Sequence, residues 1–92
     1  MSEQTRRRVR VYGLVQGVFF RDSCRQEASR LGVAGWVRNA DDGSVEAAFE
    51  GDSDAVDAMC RWCRVGPSYA RVDRVETETE DPSGDRGFDI RG

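Results

Sequence analysis

The residues best suited to chemistry lie close together early in the chain, in the stretch YGLVQGVFFRD at residues 12–22. It joins a strand-like run (RRRVRVY) to a helix-like one (RDSCRQEASRLG), and it holds two glycines, a glutamine, two phenylalanines and an arginine. A phosphate dianion needs several convergent donors. Successive backbone N–H groups in a turned loop supply them, together with the N-terminal end of the helix that follows. Gly13 and Gly17 allow such a loop to turn in on itself and bring its amides against a ligand. Arg21, where the helix begins, adds two parallel N–H bonds to phosphate oxygens. Val18 and Phe20 then anchor the loop on the core, and Phe19 shields the site from water. Taken alone, the same pattern also describes a plain glycine-containing connection with a surface arginine. It is neither a Walker loop, lacking Gly-Lys-Ser/Thr, nor a dinucleotide fingerprint, lacking the third glycine.

The elements that must hold this loop are legible as periodicities. A first strand over residues 8–12 alternates Val9 and Val11 against Arg8, Arg10 and Tyr12. A helix over about residues 21–31 follows, with Phe20, Cys24, Ala28 and Leu31 at helical spacing and Gly32 as its left-handed stop. Strand two (AGWVRNA) leads through the turn DDGS into strand three (SVEAAFEG), where Val45, Ala47 and Phe49 alternate with Glu46, Ala48 and Glu50. A second helix, capped by Asp52 or Ser53, carries an apolar stripe of Val56, Met59, Cys60 and Cys63 and ends at Gly66-Pro67. A strand (ARVDRVETETE), a polar loop (DPSGDRG) and a short strand (FDIRG) complete the chain. This order predicts an α+β, ferredoxin-like βαββαβ sandwich: an antiparallel sheet, two helices on one face and a short extra C-terminal strand. One domain over residues 1–92 is expected, with residues 1–6 disordered.

Composition narrows the function classes. All fourteen basic residues are arginine, and histidine is absent, which removes the commonest general base and a common metal ligand. Residues 1–39 carry eight arginines against three acids, and residues 40–92 carry six against fourteen. The acidic half opposes a general nucleic-acid surface. There is no run of about 18 apolar residues and no signal-like segment, so neither a membrane span nor secretion is expected. Three cysteines are too few for a secreted disulfide framework and fit a reducing, cytoplasmic compartment.

Competing constellations are weaker. Cys24 and Arg30 have the spacing of a cysteine-dependent phosphatase, but RQEAS between them reads as helix interior, whose amides are already bonded. Cys60 and Cys63 have redox or half-zinc spacing, yet both fall on the apolar stripe, and a zinc site needs about four ligands. A disulfide from Cys24 to the second helix stays open. The rival of another class is a non-catalytic ferredoxin-like binding module for RNA or a small ligand. An RNA sheet would use aromatics on strands one and three, where this chain offers Glu46 and Glu50.

Two long stretches, VYGLVQGVFFR at residues 11–21 and GWVRNADDGSVEAAFEG at residues 35–51, resemble the two signatures of the acylphosphatases. WCRVGPSYARVDRV and GFDIRG resemble later blocks, so the likeness runs from about residue 9 to 91. The chain departs from the family in ending FDIRG, where many relatives carry an aromatic after the arginine. The resemblance implies hydrolysis of acyl phosphates to a carboxylate and inorganic phosphate, without metal or cofactor. It assigns phosphate binding to Arg21 and the backbone amides of Gln16, Gly17, Val18, Phe19 and Phe20, and positioning of the attacking water to Asn39. The implied partners are a small acyl phosphate and inorganic phosphate as product and competitor, with no nucleic acid and no membrane, and the protein is expected to be a monomer. Only Phe19 and Tyr12 suggest any discrimination among acyl groups, so broad specificity is expected.

Overall fold

Strand alternation and two amphipathic helices generate the architecture. The computed structural model describes residues 3–92. Its elements are β1 (Gln4–Leu14), α1 (Phe20–Leu31), β2 (Ala34–Asn39), β3 (Val45–Asp52), α2 (Ser53–Cys63), β4 (Arg71–Glu80) and β5 (Phe88–Arg91). The sheet order is β4-β1-β3-β2-β5. The first four strands form the expected antiparallel ferredoxin-like sheet, and β5 pairs with β2 in parallel, making the whole sheet mixed. The parallel pairing follows from geometry. β4 and β5 lie at opposite edges, so the polar segment 81–87 must cross one end of the sheet before β5 can begin.

One face of the sheet carries the core. Val9 and Val11 of β1, Val37 of β2, and Val45, Ala47 and Phe49 of β3 are fully buried against Phe20, Cys24 and Ala28 of α1 and Val56, Met59 and Cys63 of α2. Gly32 ends α1 in the left-handed conformation at φ 71°, as its position predicts. Asp52 precedes α2 without a side-chain capping bond, and its carboxylate accepts from Gln4 Nε2 instead, at 2.9 Å. All three cysteines are free, buried thiols. No helix among the described residues is long and apolar enough to cross a membrane.

The other face differs from the one-sided burial expected of β3. Glu46 and Glu50 point away from the core yet are buried, as are Ala48 and Arg6. The register explains this, because Arg6 lies opposite Glu50, Arg8 opposite Ala48 and Arg10 opposite Glu46. Glu50 accepts from Arg6 at 3.0 Å and from the N–H groups of Ser83 and Gly84, both at 2.8 Å. Arg6 also reaches Glu80 and Asp85, so this network staples the 81–87 crossing to the sheet. Buried charge is tolerable only when each ion is paired, and here Arg6 and Glu50 pair with each other and with further partners from the crossing segment and β4. The order expected to start after residue 6 begins earlier: residues 4–6 pair within β1, and Met1 and Ser2 lie outside the described residues.

The same pairing speaks to the RNA-platform alternative. Arg8 and Arg10 both reach Glu46, at 3.2 and 3.3 Å, and Arg38 reaches it at 2.6 Å. Both aromatics on this face are engaged: Trp36 is buried, with the Arg8 and Arg91 guanidiniums 5.1 and 4.8 Å from its ring centroid, and Tyr12 carries the Arg74 guanidinium at 4.2 Å and donates its hydroxyl to Glu76. The face is occupied by its own ion pairs, and no stacking surface is offered.

Candidate active site

The sheet topology brings the two sequence-predicted halves of the site to one end. β1 and β2 both run antiparallel to β3, so they run parallel to each other and their C-terminal ends share an edge of the sheet. Val45, at the start of β3, lies opposite Val11 on one side and Asn39 on the other. At the usual strand spacing Val11 and Asn39 are therefore about 10 Å apart, with the β1 exit three residues beyond Val11.

The loop leaves β1 at Leu14 and enters α1 at Phe20, and it is pinned from below. Val15 and Phe20 are buried in the core, and Val18 packs against it. Gly17 (φ 73°) and Phe19 (φ 63°) both adopt the left-handed conformation. That region is open to glycine but costs an L-residue roughly 1–2 kcal/mol, a strain typical of ligand-gripping segments. Gly13 has a different task from the one its sequence position suggests. It sits within β1 at an irregularity in the β1–β4 register, and a Cβ there would overlap the Arg71 carbonyl oxygen. The turn belongs to Gly17, and the close strand approach belongs to Gly13.

The consequence is a run of free donors. The first backbone bond closing α1 is Ser23 N–H to Phe19 O at 3.1 Å, and the N–H groups of residues 16–22 find no acceptor among the described residues. Arg21 begins the helix half-buried and without a carboxylate partner. Every other arginine lacking such a partner among the described residues is exposed. Asn39 is half-buried at the end of β2, and its Oδ1 is buried with no donor within reach. Buried polar atoms are nearly always satisfied, so an orphaned acceptor marks a place where something else is meant to donate.

Arg21 and Asn39 line a single concavity of about 350 Å³ together with Val15, Gly17, Phe19, Phe20, Asp22 and Ile90. Of the five amides assigned from sequence, Gly17, Phe19 and Phe20 belong to residues lining it, whereas Gln16 and Val18 flank it in the loop. The arrangement offers N–H donors and a cation on one side, an unsatisfied amide oxygen on another, and apolar walls from Val15, Phe20 and Ile90. It is suited to holding an anion and orienting a water beside it.

One contributor escaped sequence reasoning. It is the Gln16 side chain: Nε2 donates to Ala40 O at 2.8 Å and Ser44 O at 2.9 Å. It therefore ties the β1–α1 loop to the hairpin that carries Asn39. The signal in the sequence is a lone carboxamide within an otherwise apolar loop, but nothing there says which carbonyls it will meet.

Known proteins of one family resemble the chain along nearly its whole length. A model of the acylphosphatase family matches residues 7–90. The acylphosphatase of Rubrobacter xylanophilus is 60% identical over 93 residues, covering 98% of this chain and 84% of that protein. That of Anaeromyxobacter dehalogenans is 56% identical over 92 residues, covering 99% of each. Among solved structures, acylphosphatase from Bacillus subtilis superposes with a TM-score of 0.92 at 32% identity, over 96% of this chain and 99% of that one.

Proposed function

This chain belongs to the acylphosphatase family, and from that membership we propose a metal-independent mechanism run by Arg21, the amides of residues 16–20 and Asn39. The protein hydrolyses acyl phosphates to a carboxylate and inorganic phosphate. The Arg21 guanidinium and the N–H groups of Gln16, Gly17, Val18, Phe19 and Phe20 hold the phosphoryl oxygens. The transition state spreads negative charge over the equatorial oxygens, and fixed donors that need no reorganisation stabilise it more than the ground state.

The water donates one O–H to Asn39 Oδ1, which leaves an oxygen lone pair directed at phosphorus. As the new P–O bond forms, the bond to the acyl oxygen breaks and its electron pair leaves with the carboxylate. The water's proton passes to a phosphoryl oxygen. A carboxylate has a pKa near ~4, so protonating it gains little and no general acid is required. That suits a chain without histidine. The observation that carries this reading is Asn39, whose buried Oδ1 has no donor among the described residues, lining the same concavity as Arg21, which has no carboxylate partner among them.

Hydrolysis of benzoyl phosphate in the presence of EDTA tests it. Arg21→Ala should lower kcat/KM by about 10³-fold or more and abolish competition by inorganic phosphate. Asn39→Ala should lose about 10²-fold in kcat while phosphate still competes. Near-normal turnover by either variant, or loss of wild-type activity with EDTA, overturns the mechanism. Free buried thiols fit work in a reducing cytoplasm, and the small exposed apolar surface fits a monomer.

A further inference from the structure

The large apolar side chains that stay exposed are Leu14, Phe19, Val65 and Tyr69, among the described residues. They are not scattered. Leu14 and Phe19 flank the anion loop, and Val65 and Tyr69 belong to the connection after α2, which leads directly into β4, where Arg71 pairs with Leu14. The two aromatics meet: their ring centroids are 6.4 Å apart and the planes are inclined at 56°. Phe19 is 68% exposed and Tyr69 72%, so most of both rings is available to another molecule.

Both rings are held in place from beneath. Phe20 turns into the core and packs edge-on against Trp62 at 5.2 Å, and Gly66 lies close over the Phe20 ring. Gly66 N–H donates to Trp62 O at 2.8 Å, and Ala70 N–H to Pro67 O at 3.0 Å closes a turn around Tyr69. Phe19 is fixed by its left-handed backbone at the head of α1. A pre-formed aromatic corner loses little freedom when it receives a ligand.

The concavity it borders is larger than the anion. A phosphoryl group displaces the volume of a few waters, on the order of 100 Å³, against about 350 Å³ here. Its apolar walls are Val15, Phe19, Phe20 and Ile90, and its charged lining residues are Arg21 and Asp22. Resting on the functional reading above, we infer that Phe19 and Tyr69 form the subsite for the acyl group, and that it favours acyl phosphates with an aromatic or bulky apolar acyl moiety over small polar ones such as carbamoyl or acetyl phosphate. Tyr69 lies outside the phosphoryl grip, and its contribution is to specificity alone.

Two phosphonates that share the phosphoryl end and differ in the tail, benzylphosphonate and methylphosphonate, separate this inference from the site it rests on. Aromatic contact with the corner should make benzylphosphonate the tighter competitive inhibitor by roughly five- to tenfold. In Tyr69→Ala that preference should fall to about twofold, and KM for benzoyl phosphate should rise about fivefold. Inorganic phosphate inhibition and acetyl phosphate kinetics should stay within twofold, and Tyr69→Phe should restore the preference. Equal inhibition of the wild type by both phosphonates, or a preference untouched by Tyr69→Ala, overturns the subsite and leaves the phosphoryl site standing. If neither phosphonate nor inorganic phosphate competes, the phosphoryl site is misplaced and the acyl subsite falls with it.

Discussion

Replacing Gln16 with alanine cuts the tie between the two halves of the site, and the structure sets the scale of the effect. Two hydrogen bonds disappear, those from Nε2 to Ala40 O and Ser44 O. Neither carbonyl is orphaned, because Ala40 O still accepts from Gly43 N–H and Ser44 O from Ala40 N–H. The loss is then two ordinary net bonds, about 2 kcal/mol of stability, rather than the larger penalty of buried unsatisfied groups. Urea unfolding reads that figure directly. The effect on turnover has a different origin. Residues 16–21 form one continuous segment, so the anion grip survives, but its distance to Asn39 is no longer fixed. A misplacement of about 1 Å costs on the order of 10²-fold in rate. Steady-state hydrolysis of benzoyl phosphate should therefore show kcat down about 10²-fold, with the inhibition constant of inorganic phosphate changed less than threefold. Gln16→Glu should be worse than alanine, since it sets a carboxylate against two carbonyls and beside the bound anion. A Gln16→Ala variant that loses stability yet keeps kcat within twofold of wild type would refute the coupling.

Further perturbations follow from the same geometry. Gly13→Ala forces a Cβ onto the Arg71 carbonyl at φ 134° and should destabilise by about 3 kcal/mol or more in urea melts, through the β1–β4 pairing. Burial alone would raise the Glu50 pKa, but the Ser83 amide, the Arg6 guanidinium and the Gly84 amide outweigh it and hold the carboxyl below its ordinary value. Its stabilising contribution is thus present above the usual glutamate range near pH ~4 and is lost as pH falls through the depressed value. Glu50→Gln should cost about 2 kcal/mol at pH 7, and its gap to wild type should narrow by pH 3; a gap independent of pH would contradict the assignment. Burial, with the neighbouring Cys63 thiol, pushes Cys60 up to about 11. The hydrogen bond with the Cys24 thiol, together with burial, raises Cys63 as well. At pH 8 only about one Cys60 in a thousand is thiolate, so a thiol reagent should label the native chain very slowly and all three cysteines on unfolding. Rapid native labelling would place them outside the core.

The periodic parts of the fold were legible because local sequence sets them. Val9 and Val11, the α1 stripe from Phe20 to Ala28 and the Gly32 stop all sit where alternation, helical spacing and a left-handed terminus require. What stayed hidden depends on partners far away in sequence. Glu46 and Glu50 read as solvent-facing because each alternates with an apolar residue, and their burial by Arg8, Arg10, Arg38 and Arg6 appears only once the register is known. The early start of β1 has the same cause: Arg6 is ordered by Glu50, Glu80 and Asp85, none of them nearby in the chain. Near the candidate site, the turn at Gly17 and the start of α1 could be read from residue types, whereas the Gln16 tie and the Tyr69 contact with Phe19 required the folded chain.

Titration of the 15N-labelled protein with inorganic phosphate, followed by amide NMR, tests the phosphoryl grip most directly. The signals of Gln16, Gly17, Val18, Phe19 and Phe20 should move together and saturate in the wild type and in slow Asn39→Ala, and should stay still in Arg21→Ala. Shifts gathered instead on the arginine-bearing face around Arg8 and Arg10, or unchanged by Arg21→Ala, would contradict it.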